Sequence, residues 1–192
     1  MVKVRKMKFE DVLKMRDFAK HGDIRLLHYN FEYETIKDCK LWYKAKTKLF
    51  RRYAFSIYDN NVFVGYITLK NINWFTKKAE MGIVMNPAHI SKGIGTQAIK
   101  LYLEIVFNKY KMKSIYLKVA DFNIRARKCY LKAGFKGVNE EYEEYEEQEY
   151  LINDSKYLNF DDMIYKNGII YTKYHKMRIN TNYQLEKEKN VR

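Results

Sequence analysis

The residues of this chain whose spacing could most directly do chemistry are two glycines, Gly93 and Gly95, placed between an apolar run and a helical pattern. The apolar run covers residues 83–85, and the only proline of the chain, Pro87, follows it. The first amides of a helix have no internal acceptor and carry partial positive charge. Glycine lets such a backbone approach a phosphate closely. The segment therefore predicts a pyrophosphate-binding turn, with the amides of residues 91–96 as donors.

The glycine pair alone allows several interpretations, because an ordinary strand-to-helix turn can show the same pattern. No Gly-Lys-Ser/Thr sequence follows, which excludes a Walker A loop. The dinucleotide-binding fingerprint fits poorly, since residues 86–92 separate the predicted strand from the glycines.

A second element further along the chain is typical of a short capped helix. It follows an alternating strand over residues 115–119. Asn123 is a favourable N-cap, and Gly134 is a favourable residue for ending a helix. Ala126, Tyr130 and Ala133 are spaced so that they share one helix face.

Together the two elements resemble the GNAT superfamily of N-acyltransferases. Members of this family carry a Q/R-x-x-G-x-G/A acyl-CoA loop and, after the next strand, an N-x-x-A-x-x-x-Y-x-x-x-G-F helix. The loop pattern matches at Gly93 and Gly95 but departs at Ile90, where Gln or Arg is usual; the departure removes one side chain and no backbone amide. The resemblance covers roughly residues 2–138 and matches the helix pattern at Asn123, Ala126, Tyr130, Gly134 and Phe135.

The resemblance implies an α+β fold of the GNAT type. Such a fold has a central, mostly antiparallel, twisted sheet of six to seven strands, flanked by about four helices and splayed between the fourth and fifth strands. We expect one domain over residues 1–180 and a polar tail over 181–192. The residue patterns also predict helices over 9–19 and 30–48, and hairpin turns at residues 59–61 and 167–168.

The same resemblance implies acetyl-CoA as cosubstrate. The strand before the loop would hydrogen-bond the pantetheine, and one of its amides would face the thioester oxygen, where charge develops. The implied cofactor-binding residues are Ile83, Val84, Met85, Ser91, Lys92, Gly93, Ile94, Gly95, Thr96, Asn123, Arg125 and Tyr130.

Tyr130 is the candidate general acid, because the resemblance places it beside the sulfur. A phenol pKa of about 10 lies close to that of a thiol, about 8.5, which favours proton transfer to the departing thiolate. A core tyrosine on the inner face of its helix is the alternative interpretation.

Glu80 is the candidate general base, since some members of the family place a glutamate on this strand that acts through water. A strand carboxylate held in a salt bridge fits the same position. His89 is more typical of a surface residue, and bulk water could also accept the proton. Further candidates for the base are Glu141, Glu143 and Glu144.

The net charge of +14 permits a nucleic-acid partner, but no nucleic-acid-binding motif is present, and coenzyme A is itself polyanionic. We therefore do not expect nucleic acid to be the partner. The chain has no apolar run long enough to span a membrane and no apolar signal region at its start. Cys39 and Cys129 match no metal-ligand spacing and predict reduced thiols in a cytoplasmic protein without a metal site.

The leading hypothesis is an acetyl-CoA-dependent N-acetyltransferase acting on a primary amine. Three regions most resemble the branch with ribosomal-protein and polyamine acetyltransferases: the end after Phe135, the segment near residue 40 and the Ala79-Glu80 strand. A glutamate-rich segment over residues 139–150 is either a solvated edge strand or an acidic rim for a cationic amine, and it favours polyamines.

Other functions stay open behind that hypothesis. A ribosomal-protein N-terminus is the second acceptor, and an antibiotic amine is the third. A basic nucleic-acid-binding module without catalysis is the hypothesis from another class. Members of the family often pair, which also allows a homodimer.

Overall fold

Eight strands and four α-helices make up the part of the chain that the computed structural model describes, which is residues 1–48, 52–145, 148 and 163–181. The strands are β1 (Val2–Lys6), β2 (Tyr53–Asp59), β3 (Val62–Asn73), β4 (Lys78–Met85), β5 (Ser114–Ala120), β6 (Lys136–Glu144), β7 (Met163–Lys166) and β8 (Ile169–Asn180). The helices are α1 (Phe9–Lys14), α2 (Ile36–Thr47), α3 (Ile94–Asn108) and α4 (Ile124–Ala133).

The strands form one sheet in the order β1-β2-β3-β4-β5-β8-β6, and β7 also pairs with β8. Its strand pairs are antiparallel except β4 and β5, which are parallel and join only residues 78–80 to residues 114–116. Beyond those residues the two strands diverge. The predicted mixed fold with a splay between the fourth and fifth strands is confirmed, and the sheet has more strands than the predicted six to seven.

Both predicted hairpin turns are confirmed, and their backbone explains why. Asn60 and Asn61 have φ values of 46° and 65°, and Asn167 and Gly168 have 53° and 77°. Two-residue hairpin turns of this kind need positive φ at both positions, which asparagine and glycine tolerate best. Each pair therefore sets the register of its two flanking strands.

The sheet is covered on both faces by different groups of helices. Successive side chains of a strand point to opposite faces, and Phe55 and Ile57 pack into the core that includes α3, whereas Ala54 packs with residues of α1 and α2. In α3, Ala98 and Tyr102 are fully buried. Within the described residues no helix is both long and apolar enough to cross a membrane.

Two predicted helices are shorter in the structure. The first ends at Lys14 and continues only as a 3₁₀ turn over Met15–Asp17. The second begins at Ile36 rather than near residue 30, because the Thr35 side chain accepts the N–H of Asp38 and caps the helix there. The predicted tail over 181–192 lies outside the described residues except for Thr181.

A buried carboxylate ties the first strand and helix to the sheet. Asp11 is 1% exposed and pairs with both terminal nitrogens of Arg5, at 2.7 and 2.9 Å. It also accepts hydrogen bonds from the Lys8 N–H and from the hydroxyls of Ser56 and Tyr58. A single side chain therefore joins β1, α1 and β2.

Candidate active site

A cavity of about 520 Å³ opens where β4 and β5 diverge, and it is called the splay cavity here. The end of β4, the turn before α3, the end of β5 and much of α4 form its walls, together with part of the segment before α2. The predicted cofactor-binding residues that line it are Ile83, Val84, Met85, Ser91, Gly93, Gly95, Thr96, Asn123, Arg125 and Tyr130.

Two predicted cofactor-binding residues do not line the splay cavity. Lys92 donates from Nζ to the carbonyl of Ala88 at 3.1 Å, and its side chain is exposed. Ile94 is 5% exposed and packs into the core. Because the prediction for Ile94 concerned its backbone N–H, burial of its side chain leaves that part of the prediction open.

The turn before α3 presents unpaired amides to the cavity. Ser91 and Gly93 have positive φ values of 62° and 77°, which fold the backbone tightly before the helix begins at Ile94. Asn86 holds this turn, since its Oδ1 accepts the N–H groups of Ala88 and Ala19. Among the described residues, no backbone acceptor pairs with the amides of residues 91–96. Such amides at a helix N-terminus are suited to bind an anion.

The charged side chains of the splay cavity have one sign. Lys118, Arg125, Lys128 and Lys132 line it, and the described lining residues include no aspartate or glutamate. Lys128 and Lys132 lie one turn apart on the same face of α4. The arrangement favours a polyanionic ligand, as the phosphates of coenzyme A would provide.

The cavity side of β4 is a free strand edge. Residues 81–85 pair with residues 65–69 of β3 on one side, but the pairing with β5 stops at Glu80. The cavity-lining residues 83–85 can therefore hydrogen-bond an extended ligand as an added strand would. This is the role that the resemblance predicted for them.

Gly65 of β3 supports that edge, and its replacement gives a test. A Cβ at this position would lie 2.5 Å from the Val84 carbonyl oxygen and 3.1 Å from the Met85 Cα. Gly65→Ala is expected to displace this end of β4, at a cost of about 1–3 kcal/mol, and to weaken acetyl-CoA binding about 10-fold in calorimetry. Gly137→Ala is the control, because nothing lies within 4 Å of its added Cβ. Equal affinity and equal thermal stability of both variants would contradict the account.

Tyr130 lies on the inner face of α4 and lines the splay cavity while only 8% exposed. Its ring centroid lies 6.0 Å from that of Phe135. Burial raises the pKa of the Tyr130 phenol above its ordinary value, and Tyr29 and Cys129 add to the effect. The hydroxyl therefore carries its proton at neutral pH.

Asn123 and Cys129 connect the second helix to the cavity walls. Asn123 caps α4 by accepting the Ala126 N–H at 3.2 Å, and it lines the splay cavity as well. The Cys129 thiol lies 3.3 Å from the Thr96 hydroxyl, which links α4 to the start of α3. The stability of α4 and the shape of the cavity consequently depend on the same residues.

Glu80, the predicted base, does not line the splay cavity. Its carboxylate binds the Lys70 ammonium at 2.9 Å and the Asn71 amide at 2.7 Å. This is the salt-bridged arrangement weighed as the alternative for this position. Its catalytic role stays a prediction, and its carboxylate is already engaged.

The other predicted base candidates also lie outside the described cavity lining. Glu141 pairs with Lys176, and Glu143 binds Lys118 at 2.6 Å. The Glu144 carboxylate accepts the Gln148 amide, and His89 lies in a 3₁₀ turn before α3.

The glutamate-rich segment therefore forms cross-strand ion pairs over its described part, residues 139–145 and 148. Glu140 and Glu141 pair with lysines of the adjacent β8, and Glu143 pairs with Lys118 of β5. Carboxylates neutralised in this way are poorly placed to act as an open acidic rim for an amine.

His21, Leu26 and Tyr29 are cavity residues that the sequence analysis did not identify. They lie in and just before a 3₁₀ segment over Ile24–Tyr29, which forms part of the cavity wall. No hydrophobic period marks such a segment, and only tertiary contacts bring it to the cavity.

Comparison with known proteins gives a consistent result. A family model described as "Acetyltransferase (GNAT) family" matches residues 22–135. The spermidine N(1)-acetyltransferase of Escherichia coli K12 is 25% identical over 134 residues, which is 70% of this chain and 72% of that protein. The Vibrio cholerae enzyme of that name is 29% identical over 128 residues, 59% of this chain and 73% of that protein.

A solved structure shows the same fold. The crystal structure of spermidine N-acetyltransferase from Vibrio cholerae in complex with CoA and spermine superposes with a TM-score of 0.72. The two proteins share 22% sequence identity, and the match covers 96% of this chain and 98% of the other.

Proposed function

The chain belongs to the acetyltransferase (GNAT) family and is an acetyl-CoA-dependent N-acetyltransferase, and we propose that its acceptor is a polyamine such as spermidine. The observation that carries this proposal is the splay cavity, which combines a free strand edge, unpaired helix-start amides and cationic walls. The strand edge suits the pantetheine of acetyl-CoA, the amides suit its pyrophosphate, and the cationic walls suit its remaining phosphate.

We propose that separate groups of residues bind separate parts of acetyl-CoA. The amides of residues 91–96 hold the pyrophosphate, and the edge over residues 83–85 holds the pantetheine. Lys128 and Lys132 add positive charge along α4, where a further phosphate would lie.

The acetyl transfer proposed for this chain uses one strand amide and the side chain of Tyr130. A strand amide of residues 83–85 stabilises the oxygen of the thioester as charge develops, because it is fixed before the reaction starts. The Tyr130 hydroxyl gives its proton to the departing thiolate. A thiolate is a weaker base than a phenolate, so the proton moves as the C–S bond breaks and negative charge develops on the sulfur.

Two observations support a polyamine as acceptor. The relatives that align over much of this chain are named spermidine acetyltransferases. An aromatic side chain, Tyr29, also lines the cavity. Aromatic faces attract the protonated amines of such an acceptor.

The experiment that tests the proposal is a rate comparison among acceptors. Purified protein is incubated with acetyl-CoA and one of three acceptors: spermidine, a ribosomal-protein N-terminal peptide or an aminoglycoside. We expect thiol release with spermidine at a higher kcat/KM than with either other acceptor. Faster acetylation of the peptide or of the aminoglycoside would overturn the choice of acceptor.

The proposal includes a cytoplasmic location, because Cys39 and Cys129 are both free thiols. It does not include a nucleic-acid partner. The basic-module alternative instead predicts RNA binding that weakens steeply with added salt. A binding titration at two salt concentrations distinguishes the two hypotheses.

A further inference from the structure

We propose that His21 is the general base that takes the proton from the acceptor ammonium, a role that rests on the proposed acetyl transfer. His21 lines the splay cavity, as Tyr130 does, and it is half-buried.

Tyr29 joins the two residues within the cavity. Its ring centroid lies 6.0 Å from that of His21, and its hydroxyl is near enough to Tyr130 to affect the pKa of that phenol. All three residues line the splay cavity, which places them around one space.

The His21 ring is held in place but keeps both nitrogens available. The His21 backbone N–H donates to Asn30 Oδ1 at 2.7 Å, which fixes the residue against the following segment. Neither ring nitrogen has a hydrogen-bond partner among the described residues. A base must keep a lone pair free for the substrate proton.

The charges around His21 favour its neutral form. Burial lowers the pKa of His21 below its ordinary value, and the Arg125 guanidinium of α4 lowers it further. Asp23 acts in the opposite direction, but Arg25 binds its carboxylate at 2.9 Å. At neutral pH the imidazole is therefore unprotonated and can accept a proton.

The other groups of the cavity wall are unsuited to this role. Its described residues include no carboxylate, and its other charged side chains are lysines and an arginine, whose cationic groups are hydrogen-bond donors only. Burial raises the pKa of the Cys129 thiol, with Thr96, Lys132 and Arg125 opposing it, so the thiol stays protonated. His21 is left as the described lining side chain with a basic nitrogen at pH 7.

In the proposed acetyl transfer, His21 and Tyr130 each move one proton. His21 removes one proton from the ammonium, and the electron pair of that N–H bond becomes the lone pair that attacks the thioester carbon. As the C–S bond breaks, the Tyr130 proton passes to the sulfur. The acceptor nitrogen then loses a second proton, and the Tyr130 phenolate regains a proton from solvent. His21 releases its own proton to solvent.

The test compares His21→Gln with the wild-type protein across pH. With spermidine and acetyl-CoA, we expect kcat to fall about 10²-fold at pH 7. The wild-type kcat is expected to be flat above about pH 7, because the neutral base is already fully formed. In the variant, kcat is expected to keep rising with pH, since solvent must take the proton.

Controls separate a base from a structural residue. His89→Gln removes a histidine that does not line the cavity and is expected to behave as the wild type. Added imidazole is expected to restore part of the His21→Gln rate, and acetyl-CoA calorimetry is expected to show unchanged affinity. His21→Asn provides a second variant if the first fails to fold.

The outcomes distinguish this inference from the proposed function. If the wild-type protein acetylates spermidine and His21→Gln keeps both its rate and its flat profile, the role of His21 is wrong. If the wild-type protein acetylates no amine at all, the proposed function itself fails. A slow variant with a flat profile and no imidazole rescue would assign His21 a structural role instead.

Discussion

Tyr130→Phe is expected to lower kcat for acetyl transfer about 10²-fold or more, because removing a general acid forfeits that much of the rate. Affinity for acetyl-CoA is expected to stay within a factor of about 2, since the ring keeps its contact with Phe135. The phenol pKa is raised by burial, so the wild-type kcat is expected not to fall from this group below about pH 10.

Tyr102→Phe is the matched control for that experiment. Tyr102 is fully buried in α3, and its hydroxyl has no hydrogen-bond partner among the described residues. Removing this hydroxyl is expected to leave both kcat and stability unchanged or slightly improved. Equal kcat in the Tyr130 and Tyr102 variants would remove the general-acid role from Tyr130.

Asp11→Asn is expected to be among the most destabilising conservative changes in this chain, costing about 2–4 kcal/mol in the free energy of unfolding at pH 7. The amide has no charge to pair with Arg5. Its NH₂ group would also replace one acceptor, either Oδ2, which accepts from Lys8 and Ser56, or Oδ1, which accepts from Tyr58. Urea unfolding monitored by circular dichroism measures the loss.

The acid dependence of stability provides a second readout for Asp11. Burial alone would raise the pKa of this carboxyl, but the hydrogen bonds from Arg5, Lys8, Ser56 and Tyr58 outweigh it and lower the pKa. The stabilisation is therefore complete above the unfolded pKa of about 3.9 and is lost as pH falls through the lower folded pKa.

Asp17→Asn is the control, because Asp17 is exposed. The Asp11 variant is expected to lose less stability than the wild type between pH 5 and pH 2, whereas the Asp17 variant is expected to follow the wild type. If the free energy of unfolding changed with pH by the same amount in all three proteins, the role of Asp11 would be wrong.

The elements of this fold that sequence could predict are those with local chemical causes. Gly134 ends α4 with a φ of 104°, and Asn123 caps its start, so a single residue determines each end of that helix. The two hairpin turns are likewise set by asparagine and glycine. The late start of α2 also had a local signal, since Thr35 and Asp38 stand at capping-box spacing.

The elements that sequence could not predict depend on contacts distant along the chain. Glu80 was the expected base from its place on β4, but pairing between strands brings Lys70 and Asn71 to its carboxylate. His21 and Tyr29 reach the splay cavity on an irregular segment that no hydrophobic period marks. Their position follows from tertiary anchors, among them the bond from the Ala19 N–H to Asn86.

The most direct test of the central claim is titration calorimetry of the purified protein with acetyl-CoA, with ATP as the control anion. The account predicts binding of acetyl-CoA with a Kd in the micromolar range or below, about −8 kcal/mol, and no comparable binding of ATP. A folded protein that binds neither ligand, or binds both equally, would contradict it, because the splay cavity would then not be specific for coenzyme A.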